Sequence, residues 1–287
     1  MSFDHEVESA FQKTNFGTQS AWGTAATVTN CLGYLSGQFT PKQSREAHTF
    51  TGQLLPSYVT AGREWSEITL SGLASTAEME TFLGSGVNSA AQTDPTMFTI
   101  EHGGLKAINC AVSGWSLEGD PDNINMTVNL IGGKATSQTL TGGKSPLGSN
   151  TICEGKDVSL TIDDVAITKL FKWNLSVSNL WTNVFFVGDE EPANIAQGKI
   201  DASFSATVEA DSTGISFLSE TDRIACVLTL GTTYPSISFD LMLEEPESFS
   251  DADGVYAIGL KGRVMHKGSG NAIDIAYRAS GGGGNGG

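Results

Sequence analysis

The sequence predicts a mainly β protein built as a duplicated domain, with one short helix in each copy. Three observations predict it. Apolar residues recur with period two in segment after segment, as they do in half-buried strands. Only 17% of the residues are charged and 34 of the 287 are glycine, which suits short strands and many turns. A strand, turn and helix over 62–84 returns, rewritten, over 198–218. That interval is far too long for a solenoid repeat and natural for a duplicated domain.

Residues 3–14 place Val7, Ala10 and Phe11 on one side of a short helical arm. A polar run over 14–24 leads into a first strand over 28–39. Residues 40–62 have no clear period and read as a long loop. It carries Lys42, Arg45 and Glu46 together with Phe50, Leu54, Leu55 and Tyr58, and Arg63 follows directly. A loop of this length that mixes apolar and charged groups suggests a contact surface. Ile68 and Leu70 then alternate with Glu67, Thr69 and Ser71 as a strand. Ser75 and Glu78 make an S-x-x-E capping box, Met79, Phe82 and Leu83 supply the buried helix face, and Gly84 stops the helix. Strands over 97–101 and 105–117 flank the turn at 102–104. After a turn at 118–123, Ile124, Met126, Val128 and Leu130 alternate with Asn125, Thr127 and Asn129. The arm and first copy thus span 1–131, and the Gly-, Ser- and Thr-rich 132–150 reads as a linker.

The second copy, 151–280, repeats the order. Strands lie over 158–162 and 167–179, the latter with Trp173, Leu175 and Val177 on one face. A second long loop, 180–198, matches the first in place and mixes Trp181, Phe185 and Phe186 with Asp189, Glu190 and Glu191. A strand carrying Phe204, Ala206 and Val208 follows. Asp211 then caps a short helix with Ile215, Phe217 and Leu218. Further strands are expected over 224–230, 236–243, 255–264 and 272–277. The tail 281–287, GGGGNGG, has nothing to bury and is expected to be disordered.

Thirty-two acidic against 16 basic residues leave a formal net charge of -16, which argues against a protein that grips phosphate backbones. Cys31, Cys110, Cys153 and Cys226 lie far apart, without histidines at ligand spacing, and read as buried reduced thiols rather than zinc ligands. The N-terminus has neither the basic nor the apolar region of a secretory signal, and no apolar run approaches a membrane span, so synthesis in a cytoplasm and no membrane contact are expected. GGKS at 142–145 lacks the first glycine of a phosphate loop, Gln138 standing in its place, and Pro146 follows where a helix should begin. Asp251 and Asp253 in DADG resemble the start of a calcium loop without its later ligands, and read as a hairpin turn. His5, His48, His102 and His266 have no repeated acidic partner. No enzyme activity and no cofactor are expected.

GQFTPKQSRE (37–46), PSYVTAGREWSEITLSGLASTAEMETFL (56–83) and FSDADGVYAI (249–258), with WGTAATVTN (22–30) before them, resemble the major tail tube proteins of long, non-contractile-tailed bacteriophages. The resemblance covers nearly the whole chain except the glycine tail and is one of pattern. It implies two tandem β-sandwich or barrel domains, each with a flanking helix, and copies that pair their sheets into rings. The rings would stack into the tube through which the genome leaves the virion. It also implies a place in the virion tail after synthesis in the host cytoplasm. Tape-measure, tail-terminator and tail-tip proteins are the implied partners, and DNA passes through the lumen without specific binding. In that family the long loop contacts the neighbouring ring, which makes the loop residues named above candidate assembly residues. With two domains per chain, three chains would complete a ring of pseudo-sixfold appearance. A head decoration protein or adhesin-like binding module is the alternative, since a β-sandwich does not fix function. A carbohydrate-active enzyme would need two carboxylates facing across a cleft, for which Asp251, Asp253 and Glu101 are the positions to test.

Overall fold

The computed structural model describes residues 13–51, 54–56, 58–88, 92, 94–139, 144–148, 150–167, 169–211, 223–231, 235–244, 249–252, 254–266 and 270–277. These residues are mainly β, as the alternation predicts, with one α-helix among them. The first half contains β1 (Asn15–Thr18), β2 (Asn30–Cys31), β3 (Leu35–His48), β4 (Tyr58–Leu73), α1 (Thr76–Leu83), β5 (Gly86–Asn88), β6 (Met97–His102), β7 (Leu105–Gly119), β8 (Ile124–Gly132), β9 (Thr136–Ser137) and β10 (Ser145–Pro146). Its main ladder is antiparallel throughout and runs β3–β4–β8–β7–β6–β1. The alternation that marked β8 is realised as expected: Ile124, Met126, Val128 and Leu130 are buried and the residues between them are not.

A short 3-10 turn at Gly155–Asp157 opens the second half. There follow β11 (Ser159–Ile162), β12 (Val165–Ala166), β13 (Leu170–Ser178), β14 (Trp181–Val184), β15 (Asn194–Gln197), β16 (Asp201–Glu209), β17 (Ile224–Thr229), β18 (Ser236–Leu243), β19 (Ser250–Ala252), β20 (Val255–Val264) and β21 (Asn271–Ala276). Its antiparallel ladder runs β13–β16–β20–β18–β17–β11. Strand for strand this is the connectivity of the first half, in the same chain order. The final strands also correspond, because β9 pairs with the start of β7 and β21 with the start of β18.

The halves meet edge to edge. β13 pairs with β7 from Trp173↔Gly119 to Val177↔Trp115, and β21 reaches back to pair with β5. One hydrophobic core consequently runs through both halves, from Phe98 and Leu117 through Trp173 and Leu175 to Phe204 and Phe239. Each large apolar side chain buried along this seam contributes about 2 kcal/mol. Gly119 is required here for space: a Cβ in its place would lie 2.5 Å from Trp173 Nε1.

Several expectations are corrected. The long loop expected over 40–62 is a strand hairpin, β3 pairing with β4 from Leu35↔Gly72 out to His48↔Tyr58. Its outer part is exposed on both faces, so no face selects apolar residues and period two is absent from the sequence. The second loop, 180–198, likewise contains the hairpin β14–β15. The first strand expected over 28–39 is interrupted after Cys31, because the Gly33 and Tyr34 N–H groups donate to Glu78 Oε1 at 2.7 and 3.2 Å. That same bond alters the capping box. Glu78 does reach back to the N-cap residue, but it takes the serine side chain: Ser75 Oγ donates to its other oxygen at 2.7 Å, and the serine makes no cap bond to the helix. The helix N-terminus is satisfied instead by Asn150 Oδ1, which accepts from Ala77 N–H at 3.1 Å. Met79, Phe82 and Leu83 are buried as expected, and Gly84 ends the helix at φ +56. The described part of 132–150 is no free spacer, since β9 pairs with β7 and β10 with β2. Most of the N-terminal arm, the second helix at 212–218, Gly142 and Gly143 of GGKS, Asp253 and the glycine tail lie outside the described residues.

Candidate assembly surface

The β3–β4 hairpin supplies the first group of candidate residues. Beyond Pro41↔Ser66 its two strands leave the core and run side by side as an arm roughly 20 Å long. Polar side chains brace it. Lys42 pairs with Glu67 at 3.1 Å, Gln43 Nε2 donates to Glu64 Oε1 at 2.7 Å, and Arg45 Nε donates to Gln43 Oε1 at 2.9 Å. Further out, the Glu46 carbonyl accepts from the Thr60 hydroxyl, and the His48 ring stacks on Tyr58 with centroids 6.1 Å apart. Near the tip the chemistry changes: Phe50, Leu54, Leu55, Tyr58 and Val59 are exposed, Leu54 at 99%. Exposed apolar groups concentrated at the end of a braced arm make it a candidate contact surface.

The second group behaves differently. The β14–β15 hairpin occupies the same place in the second half, between β13 and β16, as the arm occupies between β3 and β4. It folds onto the first half. Trp181 is buried against Ala111 and Ile131, and Asn183 Nδ2 donates to the Gly132 carbonyl at 3.3 Å. Phe185 lies between the base of the arm and its own hairpin, with Trp65 edge-on at 6.1 Å and the Arg63 guanidinium 5.0 Å from its ring centroid. The Glu64 N–H donates to the Glu190 carbonyl at 2.6 Å. Lys134, which the sequence reading passed over in its linker, forms an ion pair with Glu64. The Glu64 carboxylate holds that ammonium above its ordinary value, with smaller contributions from Glu191 and Glu190. Asp189 accepts from the Phe186 N–H at 3.1 Å and shapes the turn, leaving Phe186 and Val187 exposed.

The structure thus brings Arg63, Phe185, Glu190 and Glu191 together at the base of the arm, with Trp181 on the same hairpin, and keeps Lys42, Arg45, Glu46, Phe50, Leu54 and Tyr58 apart from them on the arm itself. A third set escaped the sequence reading: Met242 on β18, Phe249 just before β19 and Tyr256 on β20 are exposed, and the Phe249 and Tyr256 rings are stacked 4.9 Å apart. The available signal was the aromatic pair flanking DADG, which a hairpin turn alone does not explain.

For the chemistry of a cofactor or enzyme site, Glu101 is buried on β6, 3.8 Å from Lys106, and Asp251 pairs through its backbone with Tyr256. All four cysteines are free and buried. Among the described residues no three of His, Cys, Asp or Glu cluster as metal ligands, and no helix is long and apolar enough to cross a membrane. No protein-family model matches the chain, and no curated protein matches it.

Proposed function

We propose that this chain is a structural subunit that assembles with copies of itself into rings, and that the rings stack as the tail tube of a long-tailed bacteriophage. One observation carries the assembly reading: the two halves share one strand connectivity and are already joined edge to edge through β7 and β13. A repeat that meets its own kind through a strand edge presents the same kind of edge again at its outer ends. Such edges aggregate unless something closes them, and a ring is a closure. The two halves act as tandem tube domains of sandwich or barrel type, so three chains supply six domains. The formal charge of a ring is then 3 × (-16) = -48, a wall to which DNA phosphates do not adhere. The exposed tip of the β3–β4 arm serves stacking between rings. The tube assignment rests on the resemblance of segments 37–46, 56–83 and 249–258 to tail tube proteins. Negative-stain electron microscopy of the purified chain tests it. Rings or tubes are the expected result, and monomers or small open oligomers would favour a decoration or binding module instead.

A further inference from the structure

The internal joint specifies the external one. Stepping across the shared ladders assigns each strand position in one half to its counterpart in the other. Leu73↔Asn125 and Glu209↔Ala257 end the equivalent β4–β8 and β16–β20 ladders. From there, Ile68 corresponds to Phe204, and their partners Phe39 and Leu175 correspond on β3 and β13. In the same way the pairs Glu118↔Asn125 and Gly119↔Ile124 correspond to Ser250↔Ala257 and Asp251↔Tyr256, so β19 stands beside β20 where the end of β7 stands beside β8. Along the same strands Ala111↔Ile131, the platform on which Trp181 sits, corresponds to Met242↔Arg263.

β13 uses both of its edges, one for β16 and one for β7. β3 uses one, for β4, among the described residues. Among the described residues β19 likewise pairs only with β20. Burial differs in step with this. Leu117 and Ile124, which lie at the internal joint, are fully buried, whereas their counterparts Phe249 and Tyr256 are 44% and 61% exposed. Leu175 is fully buried, whereas its counterpart Phe39 is only partly so. Met242 is 50% exposed where Ala111 is covered by Trp181.

From this we infer that the occupant of the Phe249–Tyr256 edge is β3 of a second copy of this chain, paired antiparallel in the register of the internal joint: Phe39 opposite Phe249, Gln38 opposite Ser250 and Gly37 opposite Asp251. The contact is heterologous, β3 of one copy against β19 of the next, so it propagates in one direction and closes only as a ring. Pro41 and Lys42 confine it to the inner part of β3, since proline lacks a donor and a charged edge resists pairing. The arm beyond them crosses the next copy as β14–β15 crosses Ala111 and Ile131 within the chain, which places it over Met242. The inference rests on the ring reading above and adds to it which strands meet and in what register.

Two variants test it in the full-length chain. Gln38→Cys combined with Ser250→Cys, treated with a short bis-maleimide, is expected to give covalent dimers and trimers on a denaturing gel, while either single variant stays monomeric. The native thiols are buried and give no background. Phe249→Lys alters an exposed side chain and is expected to keep the native circular dichroism while lowering the ring fraction about tenfold. Wild-type rings with Phe249→Lys rings undiminished and no double-variant ladder would overturn the joint and leave the ring reading standing. Ladders from a single variant would overturn the head-to-tail geometry. A wild-type chain that forms no assembly at any concentration would overturn both.

Discussion

Glu78 has no solvent exposure, yet its carboxylate accepts three hydrogen bonds, from Gly33 N–H, Tyr34 N–H and Ser75 Oγ. It ties the start of β3 to the helix, a role that the S-x-x-E spacing alone hides because the same spacing describes a self-contained cap. Glu78→Ala leaves the buried Ser75 hydroxyl and the part-buried Gly33 and Tyr34 N–H groups without their acceptor and is expected to cost about 2 kcal/mol, read as a lower denaturation midpoint. A loss below about 1 kcal/mol would mean that water takes the place of the carboxylate. The thiols give a second prediction at this scale. Burial pushes Cys226 up to about 12, helped by Asp163 and Asp240, pushes Cys153 up to about 11, and raises Cys110 as well. The reactive species is the thiolate and all four thiols are buried, so native chain at pH 8 should be silent to a thiol reagent, with all four cysteines reacting once denaturant is added. Fast native reaction would place a thiol at the surface.

At the scale of elements, the joint between β7 and β13 depends on Gly119. Gly119→Val pushes a side chain into the Trp173 ring, and overpacking of this kind costs about 1–3 kcal/mol. The loss should come with a red-shifted tryptophan emission as the seam opens; unchanged stability and emission would show that β13 can shift aside. The arm is separable from that seam. Deleting 42–58 removes Phe50, Leu54 and Tyr58 but keeps Arg63 and Trp65 on Phe185, so rings are expected to form and stacks are not. Long tubes from the deletion variant would exclude the arm as the stacking element. What could be read from the sequence follows from the same geometry. β8, β13 and β16 have one face on the core, and their alternation marked them as strands, although β13 starts three residues after the 167 expected from the sequence. The outer halves of β3 and β4 have solvent on both faces, so backbone pairing holds them in strand form without an apolar face, and they read as loop. The partner of the second hairpin was equally hidden, because Phe185 meets Arg63 and Trp65 more than a hundred residues away and nothing local encodes that meeting. Phe249 and Tyr256 stood in plain view, but their exposure acquires meaning only beside the buried Leu117 and Ile124.

At the scale of the whole molecule, the correspondence between halves is one of connectivity more than of side chains, and the differences fix what symmetry an assembly can have. The first half carries a long free arm, whereas the second carries a short hairpin bound to its neighbour through Trp181 and Phe185. Leu117 and Ile124 are aliphatic where the second half has the aromatic Phe249 and Tyr256. A ring of three chains would therefore alternate two kinds of joint, β7 with β13 inside a chain and the proposed β3 with β19 between chains. In such a ring six domains would stand at similar radius, but six long arms would not. Three arms per ring should project toward the next ring, each from a first half. Reconstruction of the assembled tube without imposed symmetry is expected to show sixfold features in the sheets and threefold features in the arms. Six whole chains in a ring would contradict the pairing of halves as quasi-equivalent units, since each chain would then contribute both domains to twelve positions. Six equal arms from three chains would mean that the second hairpin leaves Trp65 and Arg63 on assembly, and crosslinking Phe185→Cys to Arg63→Cys within one chain would then abolish stacking rather than leave it unchanged.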